Sequence, residues 1–137
     1  MELGEEGLGI IEERIRKREE YLERAHGFAE CVLRKLSNST IIVYGSVARG
    51  DYNEWSDVDV LVITAEKIPP KPVDRLEILH ECGKNNPLIA PVGITDQEFI
   101  KLLIKKNPLV IEAIEKGVFL VDKLSVLKLE LESLEHA

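Results

Sequence analysis

The chain has 137 residues, a length that suits one domain with one hydrophobic core. Its formal charge is -7, from 25 acidic and 18 basic side chains, and a surface of that sign disfavours binding to long DNA or RNA. No apolar run reaches the roughly 18 residues that cross a membrane, and the charged residues 1–6 do not resemble a secretion signal, so we expect a cytoplasmic protein that does not enter membranes.

The first predicted element is a long helix from about residue 8 to residue 36. Apolar residues recur along it at alternating steps of three and four, which is typical of a helical seam. The seam consists of Leu8, Ile11, Ile15, Leu22, Ala25, Ala29, Val32 and Leu36. A basic cluster also lies on this helix, at Arg14, Arg16, Lys17 and Arg18. Glutamates flank the cluster, so we interpret it as a solvated face with ion pairs at i,i+4 spacing.

Two β-branched or apolar runs follow the helix. Residues 40–44 read as a buried strand, and residues 45–56 read as a loop with a short helix around Ala48. Residues 57–63 read as a second strand, which begins by alternating polar and apolar residues and then becomes wholly apolar. The far end of this strand is therefore predicted to be buried on both faces, while its near end presents two carboxylates to one side.

The remaining elements alternate between helices and strands. A proline-rich connector leads to a predicted helix over 73–82, and a third strand is predicted over 88–94, where Pro91 indicates an edge position or a bulge. The later predictions are a helix opened by a capping box at 95–98, a helix over 108–116, a strand over 118–121 and a leucine-rich helix over 123–135. These elements predict an α/β (α+β) fold with a small mixed sheet of about four strands flanked by helices.

We expect the whole chain, 1–137, to form a single domain. Its core would span about residues 40–122, with helical extensions at 8–37 and 123–135. The two cysteines add no recognisable motif, since neither Cys31 nor Cys82 belongs to a CxxC pair. The apolar helical pattern around Cys31 predicts a small core residue.

The chemistry-bearing residues surround the junction of the first two strands. Gly45 lets the backbone turn sharply and approach a ligand closely, and Ser46 adds a hydroxyl and an N–H at the turn. Asp57 and Asp59 are two residues apart, so on a strand they project to the same face, roughly 6–7 Å apart. Two such carboxylates suit a hard cation such as Mg2+, which also takes water and phosphate oxygens. Taken alone, the pair also fits the alternative of solvated turn acids.

The combination of these residues resembles a known signature. Gly45-Ser46-Val47-Ala48-Arg49-Gly50, the ten residues between Ser46 and Asp57, and Asp57-Val58-Asp59 before a β run are similar to the minimal nucleotidyltransferases of the DNA polymerase β-like superfamily. The resemblance covers about residues 41–63. It implies the nucleotidyltransferase fold and Mg2+-dependent transfer of a nucleoside monophosphate from a nucleoside triphosphate, with ATP favoured, to a hydroxyl on a protein or small molecule.

The resemblance also implies roles for individual residues. Gly45 and Ser46 would contact the triphosphate, and Asp57 and Asp59 would bind Mg2+ and carry catalysis. Arg49 has two interpretations of equal weight, as a nucleotide-binding cation or as a structural salt bridge to Asp51 or Glu54. Two aromatic residues of the loop, Tyr52 and Trp55, are more typical of loop packing than of stacking on a base.

The sequence departs from the family pattern at one point. Active members carry a third acidic residue on a neighbouring strand, and the predicted strand over 88–94 has none. By rough alignment Gly93 occupies that position, and the nearest acid, Asp96, falls in the predicted capping box, where a structural role outweighs a catalytic one. The alternative function is therefore a catalytically weakened nucleotide-binding protein that acts as partner or antitoxin of a helical, HEPN-type protein. Self-association is left open as well.

Overall fold

The computed structural model describes residues 5–53, 56–84, 86 and 88–135. In this part of the chain one four-stranded mixed sheet is flanked by six helices, which confirms the predicted architecture. The strands are β1 (Ser39–Tyr44), β2 (Val58–Thr64), β3 (Ile89–Thr95) and β4 (Val118–Asp122). The helices are α1 (Glu5–Lys35), α2 (Gly45–Arg49), α3 (Pro72–Gly83), α4 (Asp96–Ile104), α5 (Pro108–Lys116) and α6 (Val126–Glu135).

The strand order is β3-β2-β1-β4, so the first two strands of the chain form the centre of the sheet. β1 runs antiparallel to β2 and β4, whereas β2 and β3 are parallel and are joined through α3. β3 lies at an edge, which confirms the position that Pro91 indicated, since proline donates no hydrogen bond to a further strand. The turn from β1 into α2 therefore begins beside the start of β2, where Tyr44 pairs with Asp59.

The two faces of the sheet bury two separate cores. Residues such as Ile41, Val43 and Val60 pack towards α1 and α3 on one face. On the other face, Ile42, Leu61 and Ile63 pack towards α4, α5 and α6. β2 is thus buried on both sides beyond its first residues, as its apolar run predicted. Since alternate residues of a strand share a face, Asp59 is on the same side as Leu61, which is the side of α5.

The long helix α1 covers the sheet with only its second half. Tyr21, Phe28 and Val32 are buried, but Ile11 and Ile15 are 42% and 55% exposed. The predicted helical seam is therefore buried in its second half and exposed at Ile11 and Ile15. The reason is length, because 31 helical residues extend about 46 Å while the strands extend only about 20 Å. No helix in the described ranges has the apolar length that crossing a bilayer requires.

A disulfide joins the two helices on this face of the sheet. Cys31 of α1 and Cys82 of α3 are bonded, with their Cα atoms 5.5 Å apart. The prediction that Cys31 is only a small core residue is therefore incomplete, because a separation of 51 residues in sequence gives no local sign of the pairing. Closing a loop of this length stabilises the fold by about 4 kcal/mol in the chain-entropy description. Because disulfides are uncommon in most cytosolic proteins, the cytoplasmic location stays a prediction.

The capping box predicted at the start of α4 is confirmed. The Thr95 hydroxyl accepts from the Glu98 N–H at 3.0 Å, and the Glu98 carboxylate accepts from the Thr95 N–H at 2.8 Å. Glu98 also pairs with the buried Arg75 of α3 at 2.8 Å. Burial alone would raise the pKa of Glu98, but the hydrogen bonds from Arg75 and Thr95 outweigh it and the pKa lies below its usual value. Both partners thus fix α3 and α4 against the end of β3.

Candidate functional site

The turn between β1 and α2 brings Gly45 directly against Asp59. Gly45 has φ +77°, a conformation that L side chains rarely adopt, and a Cβ added to it would lie 2.3 Å from Oδ2 of Asp59. Glycine is therefore required here for two reasons, its backbone conformation and the carboxylate that occupies the place of a side chain. The structure brings these two predicted site residues together.

The two predicted metal ligands lie on either side of the first residue of β2. Asp57 is exposed and precedes the strand, and Asp59 within the strand is half-buried. Burial raises the pKa of Asp59 above its usual value, and the negative charges of Asp57 and Glu112 raise it further, against a smaller lowering by Arg49. The carboxylates are therefore near enough to repel each other, and a cation at this edge would relieve that repulsion.

Ser46 lies one residue into α2 and is partly exposed. Its backbone carbonyl accepts from the N–H groups of Gly50 and Asp51, at 2.9 and 3.1 Å, and so closes the short helix. Ser46 follows Gly45, and Gly45 lies against Asp59. The contact of Ser46 with a triphosphate stays a prediction.

Arg49 forms ion pairs with two carboxylates from different parts of the chain. Its Nε donates to Asp51 Oδ2 at 3.1 Å, and its Nη1 donates to Glu112 Oε1 on α5. The pair with Asp51 agrees with the interpretation of Arg49 as a structural salt bridge. Glu54, the other predicted partner, falls outside the described residues. Binding of a nucleotide by Arg49 stays a prediction. The arginine links α2 to α5 across the edge of the sheet where Asp59 lies.

Glu112 is a site residue that the sequence did not indicate. It comes from α5, more than fifty residues after Asp59, and belongs to no motif. Its charge nevertheless raises the pKa values of both Asp59 and Tyr44. Among the described residues, no three histidine, cysteine, aspartate or glutamate side chains are close enough together to hold a metal. Glu112 therefore contributes to the electrostatics and to the placement of Arg49.

A groove opens beside these carboxylates, between Tyr44 and α5. It has a volume of about 560 Å³, and its charged residues are Glu112, Glu115 and Lys116. Burial, together with the charges of Asp59 and Glu112, raises the pKa of Tyr44 to about 12. Tyr44 is protonated at neutral pH and presents a ring and a hydroxyl group close to Asp59. The sequence pattern predicts Tyr44 only as the last residue of a strand.

The prediction that Gly93 occupies the position of the third acid is wrong, because the register of β3 on β2 places another residue beside Asp59. On β3 the neighbour of Asp59 is Ala90, whereas Gly93 pairs with Val62 and a Cβ on it would meet Leu79 of α3 at 3.0 Å. A side chain at position 93 would therefore point to the face of the sheet opposite to that of Asp59. Asp96 begins α4 beyond the far end of β3, about 20 Å along the strand from Ala90, so it is remote from Asp59. Neither β3 nor the start of α4 supplies an acid to this site.

The basic cluster of α1 has two different roles. Arg16 pairs with Glu13 at 3.2 Å on the exposed helix surface, as expected for a solvated face. The two residues are at i,i+3 spacing and not at the predicted i,i+4 spacing. The prediction is wrong for Arg14 and Arg18, which donate to backbone carbonyls of α2 and of the loop that follows it. A charge pattern along one helix cannot reveal that another segment of the chain lies across it.

The loop after α2 is held by aromatic packing, as predicted for Tyr52. The Tyr52 ring is buried and meets the Tyr21 ring edge-on, with centroids 5.5 Å apart. Trp55, the second aromatic residue of this loop, lies outside the described residues. Tyr52 thus packs against α1.

A substitution at Glu112 tests the electrostatic coupling. With Glu112→Gln, we expect the pKa of Asp59 to fall towards the value of an ordinary aspartate, because one of the negative charges that raise it is gone. Carbon-13 NMR titration of the aspartate carboxyl groups measures this change. Glu115→Gln, one turn along the same groove, is the matched control and should leave the titration of Asp59 unchanged. Equal Asp59 titrations in the wild type and Glu112→Gln would contradict the coupling.

Comparison with known proteins gives a clear family match. A family model described as "Nucleotidyltransferase domain" matches residues 26–120. A protein of Methanocaldococcus jannaschii named "Putative protein adenylyltransferase MJ1305" is 48% identical over 42 residues, which are 31% of this chain and 28% of that protein. The matched segment is thus less than a third of the length of that relative.

Two solved structures share the fold at low sequence identity. A crystal structure described as "a putative nucleotidyltransferase from Sulfolobus solfataricus" has a TM-score of 0.58 at 20% identity, over 77% of this chain and 84% of that one. A crystal structure of a toxin–antitoxin with AMP-PNP has a TM-score of 0.54 at 14% identity, over 81% of this chain and 85% of that one. At these identities the similarity concerns the fold.

Proposed function

Since the chain belongs to the nucleotidyltransferase domain family, we propose that it transfers a nucleoside monophosphate from a nucleoside triphosphate to a hydroxyl group on a protein or small molecule. The observation that carries the proposal is the packing of Asp59 against Gly45, because it joins the two halves of the family motif at one edge of the sheet. The name of the Methanocaldococcus relative and the AMP-PNP in a structural neighbour both favour ATP as the donor. The first of these names also favours a protein as the acceptor.

Asp57 and Asp59 are the residues that would hold a divalent metal, with Mg2+ as the proposed ion. Their fit rests on the donor set, which consists of an exposed and a half-buried carboxylate that repel each other. A bound metal supplies charge neutralisation to the triphosphate. Two protein carboxylates are enough for Mg2+, because water and phosphate oxygens complete its coordination.

The residues of the chain contribute binding and orientation. Gly45 leaves room for Asp59 and lets the backbone approach the phosphates, while Ser46 offers a hydroxyl and an N–H. The acceptor oxygen attacks the α-phosphorus, and pyrophosphate leaves. β3 carries no acid beside Asp59 that could deprotonate the acceptor hydroxyl, so we expect slow turnover.

A labelling experiment tests the proposal. Purified protein is incubated with Mg2+ and ATP labelled in the α-phosphate, with an extract of the native host as the source of acceptor. We expect a labelled product with the wild type and none with the Asp57→Ala/Asp59→Ala variant, because the variant lacks both proposed metal ligands. Parallel reactions with GTP, CTP and UTP test the choice of nucleotide. An equal blank from wild type and variant would reject the transferase proposal.

A second candidate function is a partner protein of a helical toxin. It is favoured by the exposed leucines of α6, namely Leu127, Leu131 and Leu134, and by the toxin–antitoxin among the structural neighbours. Purification of the tagged chain from its native host, followed by mass measurement in solution, separates this candidate from the first. We expect a stoichiometric helical protein, of the HEPN type that the sequence resemblance implies. A monomer purified alone would contradict it.

A further inference from the structure

We propose that Arg14 and Arg18 of α1 are positioning residues for the nucleotide site. They fasten residues 47–52 to α1, so that Ser46 keeps its placement relative to Asp59. The effect on nucleotide binding rests on the proposed function, whereas the fastening itself can be measured without any nucleotide.

Arg18 holds the end of α2. Its Nε donates to the Val47 carbonyl and its Nη2 donates to the Ala48 carbonyl, both at 3.1 Å. Carbonyls in the last turn of a helix lack partners within the helix, and the positive charge of an arginine also suits that negative end of the helix dipole. A single side chain therefore caps the C-terminal end of α2.

Arg14 holds the loop that follows. Its Nη2 donates to the carbonyls of Gly50 and Tyr52, each at 3.1 Å, and its guanidinium lies 4.9 Å from the centroid of the Tyr52 ring. The Tyr52 hydroxyl donates in return to the backbone carbonyl of Arg14. The contact is thus reciprocal, and the Tyr52 ring is further packed against Tyr21.

The segment needs such anchors because it has little local stability. α2 has five residues and no side-chain hydrogen bond at its N-cap, and a helix of one turn does not persist by itself. In the loop, Asp51 and Asn53 are exposed, and Tyr52 is the buried residue between them. Ser46 lies within this segment, so movement of the segment displaces Ser46 relative to Asp59, which the pairing of β1 with β2 holds in place.

The two arginines lie outside the part of the chain that matches the family. That match begins at residue 26, whereas Arg14 and Arg18 come earlier, in the half of α1 that extends past the core. Their contacts give this half of the helix a role other than covering the sheet.

The experiment compares Arg14→Met, Arg18→Met, the double variant and Arg18→Lys with Arg16→Met. Arg16 is the matched control because it is on the same helix and pairs with Glu13 on the exposed surface. Amide hydrogen exchange of residues 46–53 measures the fastening, and calorimetric titration with Mg2+ and AMP-PNP measures nucleotide affinity. All titrations are made at a temperature at which circular dichroism shows every variant folded.

We expect exchange of residues 46–53 to accelerate about tenfold or more in each methionine variant, while exchange in β1 and β2 stays as in the wild type. The loss of one hydrogen bond from a charged donor is expected to increase the population of the open segment by about this factor. We also expect AMP-PNP affinity to fall about tenfold in Arg18→Met and less in Arg18→Lys, since lysine keeps the charge but not the two directed donors. Arg16→Met should match the wild type in both measurements.

Unchanged exchange in Arg14→Met and Arg18→Met overturns the proposal, and so does faster exchange with wild-type AMP-PNP affinity, because the contacts are then only structural. If the double variant does not fold, the single variants and Arg18→Lys decide the question. A wild type that binds no AMP-PNP refutes the proposed function, while accelerated exchange in the variants would still support the fastening.

Discussion

Asp59→Asn is expected to abolish nucleotidyl transfer and at the same time to stabilise the protein at neutral pH. Transfer should fall on the order of 10³-fold or more, because the variant loses a charge that would hold the metal at the triphosphate. Stability should rise because Asp59 is half-buried and near Asp57 and Glu112, where its ionised form is disfavoured. Activity is measured with labelled ATP, and stability by thermal unfolding.

The pH dependence of the stability gain has a definite sign. The folded-state pKa of Asp59 is raised, so its contribution to stability is present below the unfolded pKa of about 3.9 and is lost as pH rises through the folded pKa. The Tm advantage of Asp59→Asn should therefore be present at neutral pH and vanish below about pH 4. Mg2+ with AMP-PNP should raise the Tm of the wild type and leave that of the variant unchanged.

Asp96→Asn is the control for this prediction. Asp96 begins α4 at the opposite end of the sheet, so the substitution should leave transfer at the wild-type level. It also tests whether Asp96 replaces the missing third acid. If Asp59→Asn kept more than about a tenth of wild-type transfer, or if its Tm fell at pH 7, the metal role or the electrostatic account of Asp59 would be wrong.

The second large effect is expected from Gly45→Ala. Alanine at φ +77° costs about 1–2 kcal/mol, and its methyl group would lie 2.3 Å from Asp59 Oδ2, so the aspartate or the turn must move. We expect a loss of stability beyond this backbone cost and a fall in transfer of about 10²-fold, since small misplacements at a site have effects of that size. Urea unfolding and the labelled-ATP assay measure the two effects.

Gly50→Ala is the matched control for the conformational cost of placing alanine at a positive φ. Gly50 has φ +88°, but a Cβ on it meets open space, so only the conformational cost should appear. The pair Gly45→Ala and Asp59→Ala gives a further check, because shortening the aspartate removes the clashing atoms. Gly45→Ala should therefore cost less stability in the Asp59→Ala background than in the wild type. Equal costs in the two backgrounds would contradict the packing of Asp59 against Gly45.

Local signals in the sequence predicted most of the fold. The start of α4 at Thr95 and Glu98 and the start of α5 at Asn107 and Pro108 depend on residues within a few positions of each other. The missing N–H of Pro91 indicated an edge position or a bulge for β3, and the structure has the edge position. The pairing of the glycine turn with the aspartate strand was also predictable, because the motif joins two consecutive strands by a short loop.

Long-range contacts escaped the same reasoning. The disulfide between Cys31 and Cys82 and the ion pair between Arg49 and Glu112 each join residues about fifty or more positions apart. Periodicity assigns a residue to one face of a helix or strand, but it does not say which segment covers that face. For this reason the apolar seam could not show that the first half of α1 extends beyond the sheet.

By itself, the sequence determined the order of helices and strands, the turn at Gly45 and the presence of Asp57 and Asp59 at the start of β2. These features depend on backbone preferences and on side-chain alternation over a few residues. Only the tertiary structure decided that Ala90 rather than Gly93 neighbours Asp59, and that Glu112 supplies charge to the site. Strand register and helix docking result from packing the whole core, and no short segment of sequence encodes them.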